Sequence, residues 1–446
     1  MRAALLLCAA ATACRFSFLG VDTGASDDLG VAPVDLATSG DMPSCECATG
    51  CSETPAHHCL ALQPSGPVSP GDYGMTGLKV IAVNANIAIN TDTGAITGPP
   101  MLMRAAGTGV INGIGYHVAA QSGGPSVGIF SVAGLSLASG FKISITGSNA
   151  FALASAGGVE IDGFVDASCT AMTPGPGGFA GGAAASDGGG MAGAGKAGTS
   201  AAPMGPASGG GGGAYGDAGG SGGLITGAMA NGGVPWGDLT TPGFILVGGA
   251  GGGGGGLPMG GKGGGGGGAV QIAVNGALVV TGTIDVGGCG GQHGGKGTGG
   301  GGAGSGGAIV LEAVHVTLAS SAVLAANGGG GAGGDDKSMN GNDANASVAP
   351  ASGGGTMSSG GGNGGNGGAS NGMPGQHFTY GRDGTIPDAT MDFGGGGGGG
   401  VGRIAVRAQN ASMGGINDSS TAVTPDALDI NAIGSHPTVY GNATFQ

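Results

Sequence analysis

The sequence predicts an all-β protein: a right-handed β-solenoid, or β-helix, of short stacked rungs with long glycine-rich insertions. Three observations carry this. Apolar residues alternate with period two and form no helical stripe. One strand-rich unit recurs along the chain. Between its copies lie glycine blocks, which account for most of the 116 glycines among 446 residues.

The chain opens with Met1-Arg2 and the apolar run Ala3–Ala13, the outline of an export signal and too short to span a bilayer. Residues 1–13 are therefore assigned to a signal peptide. Its end supports two processing routes. Ala11-Thr12-Ala13 suits ordinary cleavage, whereas Ala13-Cys14 resembles a lipobox with Ala11 where leucine is usual. Lipidation of Cys14 is the expectation, with simple secretion as the alternative. Residues 14–44 form an acidic tether with the loose recurrence Asp28-Leu29, Asp35-Leu36, Asp41-Met42.

Residues 45–70 hold Cys45, Cys47, Cys51 and Cys59. With Cys8 removed and Cys14 at the anchor, Cys169 and Cys289 make six, an even number in an oxidising compartment. All six are disulfide candidates of open connectivity. His57 and His58 lie nearby, but Cys-x-Cys-x3-Cys-x7-Cys fits no common zinc spacing.

Residues 71–446 form the body. Lys79–Ile89 and Ile129–Ile145 alternate as strands of four to six residues broken by Gly, Ser and Asn. The unit Ala269–Gly288 aligns without gaps to Ala308–Asn327 at an offset of 39, and to Ala150–Cys169 at an offset of 119. A frayed fourth copy begins Arg403-Ile404-Ala405-Val406. Each full copy carries three apolar pairs. One unit cannot bury its inward side chains alone, so stacking is expected. An antiparallel sandwich of the same short strands is the competing architecture. The glycine blocks are either slack loops or side-by-side threefold helices of polyglycine-II type, which must bond to neighbours because they have no internal hydrogen bonds.

Composition narrows function. Charged residues are 9% and aromatics 4%, and mean hydropathy is positive, so polar disorder does not describe the whole chain. A formal charge of −14 without a basic stripe argues against nucleic acid. Glycine motifs arise here by composition. Gly190–Lys196, Gly256–Lys262 and Gly290–Lys296 look like P-loops but lack the following Ser or Thr. Gly124-Pro125-Ser126-Val127-Gly128 and Gly219–Gly223 fit a nucleophile elbow without the helix that must follow. Asp335, Asp336 and Asp343 form a weak calcium candidate, with Ser347 where an EF-hand needs glutamate. His315 is expected on a solvent face. Asp166 and Asp285 share a repeat position, with Leu324 in the third copy, and the scarcity of basic residues argues against an acid–base cluster there.

The rung text Gly157–Ser168 resembles rungs of haemagglutinin-type β-helical adhesins. The Asp-Leu/Asp-Met tether, the Cys51…His58-Cys59-Leu60…Pro64-Ser65 cluster and rungs ending in Gly runs resemble uncharacterised glycine-rich surface proteins and lipoproteins of myxobacterial type. That resemblance carries no known activity. The expected function is non-catalytic: a cell-surface structural or adhesion protein, outer-membrane anchored or secreted, touching membrane only through its lipid. Its partners would be surface glycans or other surface and matrix proteins, and no cofactor is implied. The alternative is a carbohydrate-binding or polysaccharide-cleaving β-helix.

Overall fold

The computed structural model describes residues 62–200, 207–223, 229–240, 243–256, 259–356, 361–368 and 393–409, with further strands between 416 and 445. The expected signal peptide and tether, with Cys14, Cys45, Cys47, Cys51 and Cys59, lie outside these residues. Among the described residues the regular structure is β, with three short 3-10 turns and no α-helix.

The strands stack in three parallel columns. The first runs Val127–Val132, Ala150–Ser155, the start of Ala269–Val280, the start of Ala308–Leu318, Arg403–Ala408 and Thr438–Asn442. The second runs Val80–Val83, Gly134–Leu137, Val159–Ile161, residues 277–280, residues 316–318 and Ile416–Asp418. The third runs Ile87–Asn90, Lys142–Thr146, Phe164–Asp166, Thr283–Asp285, Val323–Ala325 and Ala422–Thr424. Antiparallel pairs adjoin the early strands, Gly109–Ile111 with Ile114–Ala119 and Ile96–Thr97 with Ile87–Asn90.

The repeat copies meet in this register. Phe151 faces Val270, Ala269 faces Ala308, and Ala308 faces Arg403, as the alignment requires. The offset of 39 does not hold to the end of the unit. A register shift between Val274 and Ala277 brings Ala277 opposite His315, and a longer turn after Leu318 brings Asp285 opposite Ala325. A bulge puts one extra residue in one strand, which an ungapped alignment cannot absorb. Ala325, not Leu324, is therefore the third member of the Asp166–Asp285 row.

Alternation sends Phe130, Leu153, Ile272, Leu311 and Val406 inward with Val165, Ile284 and Leu324 from the third column, giving one core along the stack. Full burial stabilises each such side chain by about 1.5–3 kcal/mol. Tyr116, Phe130 and Phe151 stack at its early end, with centroids 4.8 and 5.5 Å apart. The first column is also buried on its other face. Leu62, Val68 and Tyr73 cover it together with Leu239, Phe244 and Leu246. This covering is pinned by a buried ion pair. Arg407 Nη1 lies 3.0 Å from Glu312 and donates to Ser65 Oγ, and Gln271 Nε2 donates to Glu312.

The glycine blocks leave the strand ends and form a second, ordered body of main chain. Within residues 248–256, Gly249, Gly252 and Gly255 donate to Gly267, Gly264 and Gly261. Gly251 and Gly254 donate to Gly189 and Ser186, and Gly253 and Gly256 donate to Gly211 and Ser208. Every third residue thus meets the same neighbour, the period of an extended threefold helix. Some neighbours run antiparallel, as above. Others run parallel, as where Gly300, Ala303 and Gly306 donate to Gly394, Gly397 and Gly400. The slack-loop alternative does not describe these segments. Cys169 and Cys289 are joined by a disulfide with Cα atoms 5.3 Å apart, at the foot of two blocks.

At most positions in these segments only glycine permits this spacing, although Ala250, Ala303 and Ala332 are accommodated. A Cβ on Gly302 would fall inside the contact distance of the Gly211 carbonyl oxygen, whereas one on Gly355 would meet nothing within 4 Å. Gly302→Ala should therefore destabilise the protein by about 3 kcal/mol or more, and Gly355→Ala by less than about 0.5 kcal/mol. Thermal melting of the two variants beside the wild type checks this, and equal melting temperatures would contradict it.

Candidate functional site

The outward face of the third column carries the acidic residues that the repeat stacks. Because Ile143, Val165 and Ile284 point into the core, their neighbours point out. Two rows result: Lys142, Phe164 and Thr283, then Ser144, Asp166 and Asp285. Adjacent strands in a sheet lie about 4.8 Å apart, so the register alone stacks the two carboxyls.

Lys142 Nζ contacts Asp166 Oδ2 directly and lies 5.0 Å from the centre of the Phe164 ring. The other oxygen of Asp166 accepts two hydrogen bonds from Ser168, one from the backbone N–H at 3.0 Å and one from Oγ at 2.6 Å. Asp285 is only 6% exposed and accepts the Gly287 N–H at 2.9 Å. Burial pushes its carboxyl up to about 7, and the Asp166 charge pushes the same way. The Gly287 hydrogen bond and Lys142 oppose the shift without cancelling it. Asp285 is thus a buried carboxyl held well above the usual aspartate range beside the Lys142–Asp166 pair.

A cleft of about 390 Å³ opens beside Asp166, walled by Lys142, Ser144, Thr146, Ser168, Thr170 and Thr173. A second, of about 430 Å³, opens beside Lys142, between Asn86, Asp162, Phe164, Thr281 and Ser321. Ser and Thr hydroxyls and charged side chains line both clefts among apolar surface. A smaller apolar pocket of about 50 Å³, between Ile81, Val83, Phe130 and Leu153, carries no polar surface.

The structure brings Asp166 and Asp285 together and adds Lys142. Basic residues remain scarce along the chain, but Lys142 supplies one at this point. Lys142 was legible in principle: Phe141-Lys142-Ile143-Ser144-Ile145 has the alternation of the third-column strands, but no repeat alignment reached it. The calcium candidates are not brought together in this way. Asp335 is buried and accepts the Gly297 N–H at 3.0 Å, Asp336 is exposed, and Asp343 accepts the Gly290 N–H at 2.9 Å. Among the described residues no three His, Cys, Asp or Glu side chains are placed to hold a metal ion. Lys196, Lys262 and Lys296 are all exposed, Lys196 paired with Asp187 at 2.9 Å. Ser126 leads straight into Val127–Val132, so no strand–turn–helix elbow forms there. His315 is exposed, as expected.

No family model, curated protein or solved structure matches the chain.

The raised carboxyl of Asp285 links stability to pH. Its folded value near 7 lies above the ordinary aspartate value of about 3.9. The stabilisation it provides is full below about pH 4 and lost as pH rises from about 4 to 7. Asp285→Asn keeps an acceptor for Gly287 and removes the titration. Its melting temperature should exceed that of the wild type at pH 8, by the equivalent of about 1–3 kcal/mol, and the difference should close near pH 4. A pH-independent difference between the two proteins would contradict this origin.

Proposed function

We propose that the protein is an exported, non-catalytic surface protein that acts in structure, adhesion or matrix contact. In this reading the layers are successive turns of a right-handed β-solenoid, since nearly all parallel strand crossovers are right-handed. Cys14 carries a lipid that holds the chain at the outer membrane or cell surface, with secretion as the alternative route. The likeness to glycine-rich surface proteins and to β-helical adhesins points the same way.

The observation that carries the proposal is the glycine body. Its contacts are made between main-chain groups, from Gly249 with Gly267 through Gly306 with Gly400, so it offers rigidity and extent in place of a pocket. Such a body suits repetitive, multivalent contact, where many weak engagements add.

A second reading has one specific observation in its favour. Lys142, Asp166 and the hydroxyl-lined clefts form a groove of the kind that a carbohydrate-binding or polysaccharide-cleaving β-helix would use.

One experiment separates the two: a screen of the full chain against surface polysaccharides, matrix extracts and intact cells, with sugar release followed in parallel. The surface-protein reading predicts retention on cells or matrix that survives Asp166→Asn, with no sugar released. Release of reducing ends that Asp166→Asn or Asp285→Asn abolishes would overturn it in favour of cleavage. Binding lost in Asp166→Asn without sugar release would favour the glycan-binding form.

A further inference from the structure

Lys142 and Asp166 sit on neighbouring strands of consecutive layers, with amine and carboxyl in direct contact. The geometry points to a covalent end state for this pair: an amide between Lys142 Nζ and Asp166 Cγ, formed by the folded protein itself with Asp285 as proton relay. Three features distinguish this pair from an ordinary surface ion pair.

First, the two oxygens of Asp166 are differentiated. Oδ2 faces the amine, while Oδ1 accepts two hydrogen bonds from Ser168. Those donors are already aimed where negative charge would develop as nitrogen adds to Cγ. Second, a carboxylic acid is stacked in register next to the reacting carboxyl. Asp285 spends one oxygen on the Gly287 N–H, and burial with the neighbouring Asp166 charge favours its protonated form. Third, the reactants are fixed. Asp166 is 14% exposed and Lys142 39%, with the Phe164 ring beside the amine and sheet register holding both strands. Such placement is worth effective concentrations of about 10⁵ M or more, which offsets the cost of condensing an amine and an acid in water.

The step balances without any co-reactant. Within the ion pair a proton passes from the Lys142 ammonium to Asp166 Oδ2, leaving neutral amine and neutral acid. The nitrogen lone pair forms the C–N bond as the carbonyl electrons move onto Oδ1. Asp285 takes a proton from the nitrogen and delivers its own to Oδ2, whose bond to Cγ breaks to release water. Oδ1 becomes the amide oxygen and Asp285 ends as it began. One ammonium and one carboxylate become one amide and one water. The product would join the Lys142 layer to the Asp166 layer. The Cys169–Cys289 disulfide joins the Asp166 layer to the next, so three consecutive layers would be covalently stapled at one side. The inference is independent of the surface-protein reading.

The test is peptide mass spectrometry on the full chain, incubated folded at neutral pH, then denatured, reduced, alkylated and digested with trypsin. An amidated Lys142 cannot be cleaved after. The expected product is a single peptide of residues 105–196, lighter than the linear sequence by one water. Lys142→Arg, which keeps the charge, should give separate peptides 105–142 and 143–196 at full mass. Asp285→Ala should do the same while leaving Lys142 and Asp166 in contact. Complete cleavage after Lys142 in the wild type, with both peptides at full mass, would overturn the inference. A water lost from 143–196 with Lys142 still cleaved is a cyclic imide at Asp166 and would also overturn it. A persisting cross-link in Asp285→Ala would remove the relay from Asp285.

Discussion

A buried backbone N–H must find an acceptor, and the rest of this structure depends on that requirement being met in glycine runs that have nothing else to offer. An extended threefold segment bonds to none of its own residues. Gly249 through Gly256 therefore each reach a different segment in turn, and the segments must lie so close that a Cβ would strike a neighbouring carbonyl. Ordering glycine costs about 1 kcal/mol more per residue than ordering alanine. That cost is met only because many segments assemble together, so the bundle is cooperative by construction.

The β stack supplies the starting points for this assembly. Ala308 N donates to Gly268 O and Arg403 N to Gly307 O, so the hydrogen-bonded ladder of the first column passes into the bundle without a break. The register of the strands sets the register of the glycine segments that leave them. The same register produces the polar row. Asp166 and Asp285 are stacked by the core packing of Val165 and Ile284, and the raised carboxyl of Asp285 follows from the burial that this stacking imposes. The Arg407–Glu312 pair has a different role. Its groups are bonded to the covering segments at Ser65 and Leu239, and it holds those segments on the outer face of the first column.

Much of this was legible in the sequence because period-two alternation and internal repetition are direct consequences of stacking. The pairings Val159 with Leu278 and Val165 with Ile284 follow from the ungapped alignment. Two things were not legible. The bulge between Val274 and Ala277 and the longer turn after Leu318 leave no composition signal, so an ungapped alignment puts Leu324 where Ala325 stands. Long-range contacts between glycine segments leave none either, since Gly253 is chemically identical whether it bonds to Gly211 or to water. Lys142 fell between: its strand was visible, but its place in the third column needed the register of a strand outside the repeat alignment.

The central claim is that the glycine segments are hydrogen-bonded structure rather than slack chain. Hydrogen exchange resolved at residues 249–255 and 299–306 tests it most directly. Protection close to that of the strand amides of Val270–Val274, lost together with them on unfolding, is the predicted result. Exchange of those glycine amides at free-peptide rates, while the strands stay protected, would contradict it.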